Sequence, residues 1–255
     1  TLICYSHIVV NPHYFWEGIR YIEYCNDVIE SILIDTGVDK LFNMLNMRDY
    51  PSWYISEYVK LVKYMSLRFG NRYEVMYVIP DVPVDYRGRE SLYPWNVERT
   101  IQYIKLFLER YIDMLKPAKP IAPVQGKRDS VKSVIETYTK YENIYNEFEL
   151  LALSPVCTSK RYTILAKMVL AFDRTVNKPF RSFGIHIKTI EKLKSWKLRW
   201  FRSFDSSAYK YIGNRHYRLA KSRLEIAKSF LEYINRLKKL NVTIGKIVIK
   251  TPISF

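Results

Sequence analysis

Cysteine is nearly absent from this chain, with three in 255 residues: Cys4, Cys25 and Cys157. They lie far apart, are odd in number and form no Cys-x-x-Cys pair. This argues against a disulfide framework or a cysteine-rich zinc site, and it fits a reducing cytoplasm. Glycine is scarce too, at 8 residues, and no segment is of low complexity, which argues against wholesale disorder. No apolar run approaches the ~20 residues of a membrane span. The opening TLICYSHIVV has neither a basic start nor a small-residue cleavage site, so no secretory signal is expected. No Gly-rich phosphate loop follows the first apolar run, which disfavours an open doubly wound sheet.

What the chain does have is apolar mass and an uneven charge. Hydrophobic residues make up 48%, enough for a large core, and 22 tyrosines and 12 phenylalanines give a high aromatic load. Aromatics fill cores, and they also stack on nucleic-acid bases. The formal net charge is +16, and all of the excess is at one end. Residues 1–155 hold 18 Lys/Arg against 20 Asp/Glu, whereas residues 156–255 hold 23 against 5. A basic block of this kind reads as a polyanion surface, with nucleic acid the expected partner. An anionic membrane fits less well, because strand-like segments interrupt the block.

Eight apolar runs recur along the chain, at 2–10, 31–37, 74–81, 119–126, 148–155, 180–186, 199–207 and 243–250. Helical patterns separate them. Val97, Ile101, Ile104, Leu108, Ile112 and Leu115 keep the 3-4 spacing of one apolar stripe, and residues 215–239 do the same with a basic outer face. Alternation of this kind predicts a parallel sheet with helical crossovers. Eight strands in one domain spanning 1–255 predict an α/β fold of the (β/α)8 TIM-barrel type. No closing helix follows residue 250 in the pattern, so the barrel is expected without it.

Six successive runs end on polar groups: Asp35, Asp81, Gln125-Gly126, Ser154, His186 and Asp205. Turn propensity explains each one alone. A barrel explains the series, because it directs residues at the C-terminal ends of its strands to a common mouth. His186 reads as a core or rim histidine, and His7, His13 and His216 lack metal-ligand spacing. Trp196, Trp200, Tyr209 and Tyr211 read as packing rather than as stacking platforms.

In this order, the motifs resemble the tRNA-guanine transglycosylase family and its DNA-modifying relatives. IDTGV (34–38) stands where the family has Asp-Ser-Gly-Gly, and Asp81 followed by NVERT (96–100) stands where it has an Asp and a Met-Glu-Arg-Ser-like helix start. PVQG (123–126), ALSPV (152–156), FGIH (183–186) and FDS (204–206) match its later motifs. The likeness runs from about residue 31 to residue 209. It departs from the family at Val38, at Leu153-Ser154-Pro155 and at His186, and no cysteine follows Asp205. The pattern is therefore nearer the zinc-less DNA-guanine branch or small members of the family.

The resemblance implies a base-exchange glycosyltransferase. Asp205 would be the nucleophile at C1′ and Asp35 the acid and base. Asp81, with Asp85 as its rival, would accept hydrogen bonds from N1–H and the 2-amino group of guanine. Gln125 and Gly126 would meet the carbonyl edge of the base, and the Leu153-Ser154 backbone would help to hold it. Arg199, Arg202, Lys210, Arg215, Arg218 and Lys221 would carry the phosphates, the last three from one helical face. The expected partners are tRNA or DNA and a free guanine or 7-deazaguanine, and a homodimer is compatible with the reading. No cofactor, metal or membrane is expected. Two rival readings are a degenerate barrel that binds nucleic acid without catalysis, and a metal-dependent hydrolase using Asp35, His186 and Asp205.

Overall fold

The computed structural model describes residues 2–83, 89–156, 159–204, 211–212, 218–219, 223–242 and 247–250. The chain begins with β1 (Leu2–Tyr5) and β2 (His7–Val10), then α1 (Phe15–Tyr24) and β3 (Ser31–Ile34). A π-helical segment, Asp39–Met44, leads into α2 (Ser52–Phe69). Next come β4 (Glu74–Val78), α3 (Trp95–Arg110), α4 (Ile112–Leu115), β5 (Lys119–Val124), α5 (Val131–Lys140), α6 (Glu142–Tyr145) and β6 (Leu150–Leu153). The second half holds α7 (Tyr162–Thr175), β7 (Phe180–Ser182), α8 (Ile187–Leu193), β8 (Phe201–Phe204), β9 (Tyr211–Ile212), β10 (Arg218–Leu219), α9 (Arg223–Lys239) and β11 (Ile247–Lys250).

Strands β2 to β8 form one curled, all-parallel sheet in strict sequence order. That order has no reversal point. Right-handed crossovers then put every helix on the same face, and the other face must be buried by curling. Burial follows this logic. Ile32, Ile34, Val75, Tyr77, Ala122, Val124, Leu151 and Leu153 join the large core under the helices. The alternate residues Leu33, Met76, Val78, Ile121 and Ala152 form a second, interior cluster with Leu150 and Phe183. Strands buried on both faces read as unbroken apolar runs, which is why they are visible in the sequence. Among the described residues no helix is long and apolar enough to cross a membrane.

Four expectations are corrected. The first run is two strands, because the chain turns at buried Ser6, whose carbonyl accepts the N–H groups of Glu30 and Ser31 at 2.7 and 3.0 Å. β11, from the eighth run, does not extend the parallel ladder: it pairs antiparallel with β1, Leu2 opposite Lys250. β7 stops at Ser182, and His186 is instead the N-cap of α8, its Nδ1 accepting the Lys188 N–H at 3.1 Å. The helix expected from residue 215 begins at Arg223, while Arg218 lies in β10, paired with β9. A single disulfide is also present, at the fully buried Cys25 that ends α1.

Candidate active site

Asp35 directly follows β3. Its N–H donates to the Val10 carbonyl at 2.9 Å, and the Asn11 side chain donates to its carboxylate at 3.3 Å. Strand alternation puts it on the side of Leu33, above the interior cluster. Behind it stands a wall of tyrosines from α2 and the loop before it. The Tyr58 hydroxyl donates to the Val78 carbonyl at 2.7 Å and lies 3.3 Å from that of Ile34, so it joins the ends of β3 and β4. Tyr54 donates to the Thr36 carbonyl at 2.9 Å, and its ring stacks on Tyr50 at 5.6 Å. Burial, reinforced by the nearby carboxylates, raises the pKa of all three phenols, so they stay neutral: Asp35 acts on Tyr54 and Tyr58, and chiefly Asp81 on Tyr50.

Gly37 allows this crowding. Its φ is +68°, which favours glycine, and a Cβ there would sit 2.8 Å from the Tyr54 hydroxyl and 2.9 Å from His13 Nε2. Gly126 is required for a different reason. A Cβ there would meet Val134 Cγ2 at 2.6 Å, so the loop after β5 could not pack on α5. Ser130 caps that helix through the Ser133 N–H at 3.3 Å.

Asp81 and Gln125, from the loops after the adjacent strands β4 and β5, are both buried and joined directly. Gln125 Nε2 donates to the Asp81 carboxylate. Gln125 Oε1 is buried as well and has no hydrogen-bond partner among the described residues. The amide thus turns its donor to Asp81 and presents an acceptor, whereas a carbonyl edge would need the donor. The loop bearing Asp81 is pinned by α3. Thr100 Oγ1 accepts the Val82 N–H at 3.0 Å, and the Asn96 side chain donates to the Val82 carbonyl at 3.2 Å. Of the NVERT segment, then, Asn96 and Thr100 position the loop. Glu98 instead pairs with Lys140 at 2.8 Å on the surface, which lowers its pKa, and Arg99 pairs with Asp49 at 2.7 Å.

After β6, Ser154 is buried and its N–H is committed to the Val124 carbonyl at 3.2 Å. The Leu153 side chain faces the helices, and its carbonyl is 3.4 Å from Ser182 Oγ. Because Pro155 lacks an N–H, this backbone offers little to a base beyond carbonyls. His186 stacks on Tyr162 with ring centroids 4.7 Å apart, and its pKa is lowered by burial and then by Lys188 and Arg236. One buried arginine carries no signal in the sequence. Arg181, in β7 opposite Ala152, lies over the Phe183 ring at 5.2 Å on the interior side.

Arg199, just before β8, and Arg202, within it, are exposed, the guanidinium of Arg199 lying 4.7 Å over the Trp200 ring. Lys192, Lys194, Lys197, Lys228, Lys238 and Lys239 are exposed too. Trp200 packs against the core, whereas Trp196 is on the exposed side. The structure therefore brings together Asp35, Asp81, Gln125 and Gly126 at the ends of three consecutive strands. Asp205, Asp85, Lys210, Tyr209, Arg215, His216 and Lys221 lie outside the described residues, as does the side chain of Arg218. Among the described residues no three His, Cys, Asp or Glu side chains gather as a metal site requires. In comparisons with known proteins, the chain matches no family model and no curated protein.

Proposed function

We propose that this protein is a base-exchange glycosyltransferase that replaces guanine in a polynucleotide, tRNA or DNA, with a 7-deazaguanine, and that its sheet closes into a (β/α)8-type barrel. The observation that carries the reading is the row of Asp35, Asp81 and Gln125 at the ends of neighbouring parallel strands, with the Asp81–Gln125 pair buried. A buried carboxylate beside an amide oxygen that no described residue engages is a wall of acceptors. It suits a flat ligand edge rich in N–H donors, such as N1–H and the 2-amino group of guanine.

The chemistry needs two carboxylates. Asp205 attacks C1′ of the nucleotide and forms the C1′–O bond as the bond to the base nitrogen breaks. Asp35 gives the departing guanine a proton. The incoming base then attacks C1′, loses its proton to Asp35 and releases the Asp205 carboxylate. Asn11 keeps Asp35 oriented throughout.

The test is incorporation of labelled guanine into tRNA, single-stranded DNA and duplex DNA. The expected outcome is exchange into one of them, lost in Asp205→Ala together with the covalent complex, and reduced about 10²–10⁴-fold in Asp35→Asn. Folded protein that exchanges into none of the three refutes the reading. Binding without any covalent complex would instead identify a non-catalytic nucleic-acid-binding barrel.

A further inference from the structure

The described surface exposes few large apolar side chains, and five of them belong to the connections that follow two neighbouring strands. Tyr14 (65%), Trp16 (64%), Met44 (71%), Leu45 (59%) and Trp53 (62%) all lie in the loops or first helical turns that follow β2 and β3. Connections after parallel strands emerge at the C-terminal edge of the sheet, the edge that bears Asp35. Ring contacts tie the group to that carboxylate. Trp53 packs edge-on against Tyr54 at 5.6 Å, and Tyr54 lies 6.0 Å from His13, the neighbour of Tyr14. Tyr54 and His13 both abut Gly37, two residues beyond Asp35. Exposed Lys40 and Arg48 lie in the same connection, with Arg48 4.9 Å over the Trp95 ring at the start of α3.

Burying these rings would be favourable, yet no described residue covers them. Their mixture with cations is not that of a purely apolar docking face. Exposed aromatic faces interspersed with Lys and Arg are the way proteins hold unpaired polynucleotide, each ring stacking one base while the cations follow the backbone. On the reading that the mouth acts on a nucleotide, we propose that Trp53 and Tyr14 form a stacking platform for unpaired bases next to the reacting one. The reacting nucleotide would then be presented from a single-stranded or locally opened segment, with its neighbours held on the rim over β2 and β3. Duplex with paired flanks cannot use such a platform, because its bases are already stacked on each other.

The experiment measures binding of a fluorescein-labelled 12-nucleotide strand with a central guanine, as single strand, as duplex, and with abasic positions flanking the guanine. The full chain is compared with Trp53→Ala, Trp53→Phe, Tyr14→Ala and, as an exposed control farther along α2, Leu67→Ala. Trp53→Ala is expected to weaken single-strand binding at least about fivefold, the lower end for removal of one base stack. Trp53→Phe should restore most of the loss, Leu67→Ala should have no effect, and the log-log salt slope should not change, since every phosphate keeps its cation. Abasic flanks should weaken the wild type most, Trp53→Ala or Tyr14→Ala less, and leave the double variant Trp53→Ala/Tyr14→Ala indifferent. Equal loss in Leu67→Ala, indifference of the wild type to abasic flanks, or tighter binding of duplex than of single strand overturns the proposal. So does a concentration-dependent dimer that Trp53→Ala disperses, which would make the patch a self-association face. Because binding alone is read, the platform stands or falls separately from base exchange: a protein that stacks the strand but exchanges no guanine refutes only the chemistry.

Discussion

β3 and β8 precede the two aspartates of the proposed chemistry, yet they are held in opposite ways. All four residues of β3 are buried, two under the helices and the others toward the interior side or the strand start, and Tyr58 ties its end to β4. No residue of β8 is fully buried, and Arg202 and Ser203 are exposed. Phe201 and Phe204 pack against the core from half-buried positions, and the strand's start is gripped by one side chain as well. Buried Asp173, near the end of α7, accepts the backbone N–H groups of Arg199, Trp200 and Phe201 at 2.7–2.8 Å. One strand is fully buried, and the other, half-buried at most, carries a hydrogen-bonded anchor at its start. The difference leaves Arg199 and Arg202 exposed at β8, within the part of the sequence that holds the excess of positive charge.

The sharpest way to break this contrast is to remove the anchor. Asp173→Ala leaves three backbone donors without their carboxylate, and the expected loss is about 2–4 kcal/mol in urea unfolding. Hydrogen exchange should show β8 opening while β3 keeps its protection, and equal loosening of both strands would erase the distinction. A smaller effect is expected from the double substitution Arg199→Ala/Arg202→Ala. Stability should stay within about 0.5 kcal/mol. The log-log salt slope of polynucleotide binding should fall by roughly 0.7–0.9 for each phosphate that these arginines neutralise. An unchanged slope would move the phosphate path away from β8.

The smallest expected effect is that of pH. His186, in the second half, and His13, in the first, both have pKa values lowered below the ordinary 6.5, in each case chiefly by burial. For His186, Lys188 and Arg236 add to the lowering while Glu191 opposes it; for His13, the Gly37 carbonyl opposes it and Lys40 adds to it. Both are neutral in the fold at pH 7. A depressed pKa contributes stability that is complete above the unfolded-state value and is lost as pH falls through the folded-state value. The thermal midpoint should therefore be flat from pH 8 to 7 and decline below about 6. His186→Asn keeps an N-cap acceptor and should flatten part of that decline. An undiminished decline in that variant would assign it to other groups.

The parallel strands were legible because burial on both faces leaves long apolar runs, and Asp35 and Gln125 were legible because each directly follows such a run. Pairing partners were not. The run at 243–250 looks like any parallel strand, since its direction is set by where β1 lies, which local periodicity does not encode. Arg218 kept a helical spacing with its neighbours and nevertheless entered a two-residue strand. The tyrosine wall was hidden for a related reason: nothing local marks these residues until the fold sets the Tyr54 and Tyr58 hydroxyls against the carbonyls of Thr36, Ile34 and Val78 and stacks Tyr50 on Tyr54. Nor could sequence show that Gln125 turns its donor to Asp81, because that depends on a neighbour 44 residues away.

The pairing of β1 with β11 also bears on the order of assembly. Each rung of the β2–β8 ladder needs only the strand made just before it, so the sheet can grow as the chain leaves the ribosome, each new unit docking on the last. β1 belongs to no such step. Its partner lies at residues 247–250, so β1 must wait, unpaired, through the synthesis of the whole sheet. Long-range pairing of this kind comes late because loop closure must be met before any contact rewards it. The ladder is thus a structure that can exist before β11 is made, and the β1–β11 clasp marks the moment when every strand between them is in place.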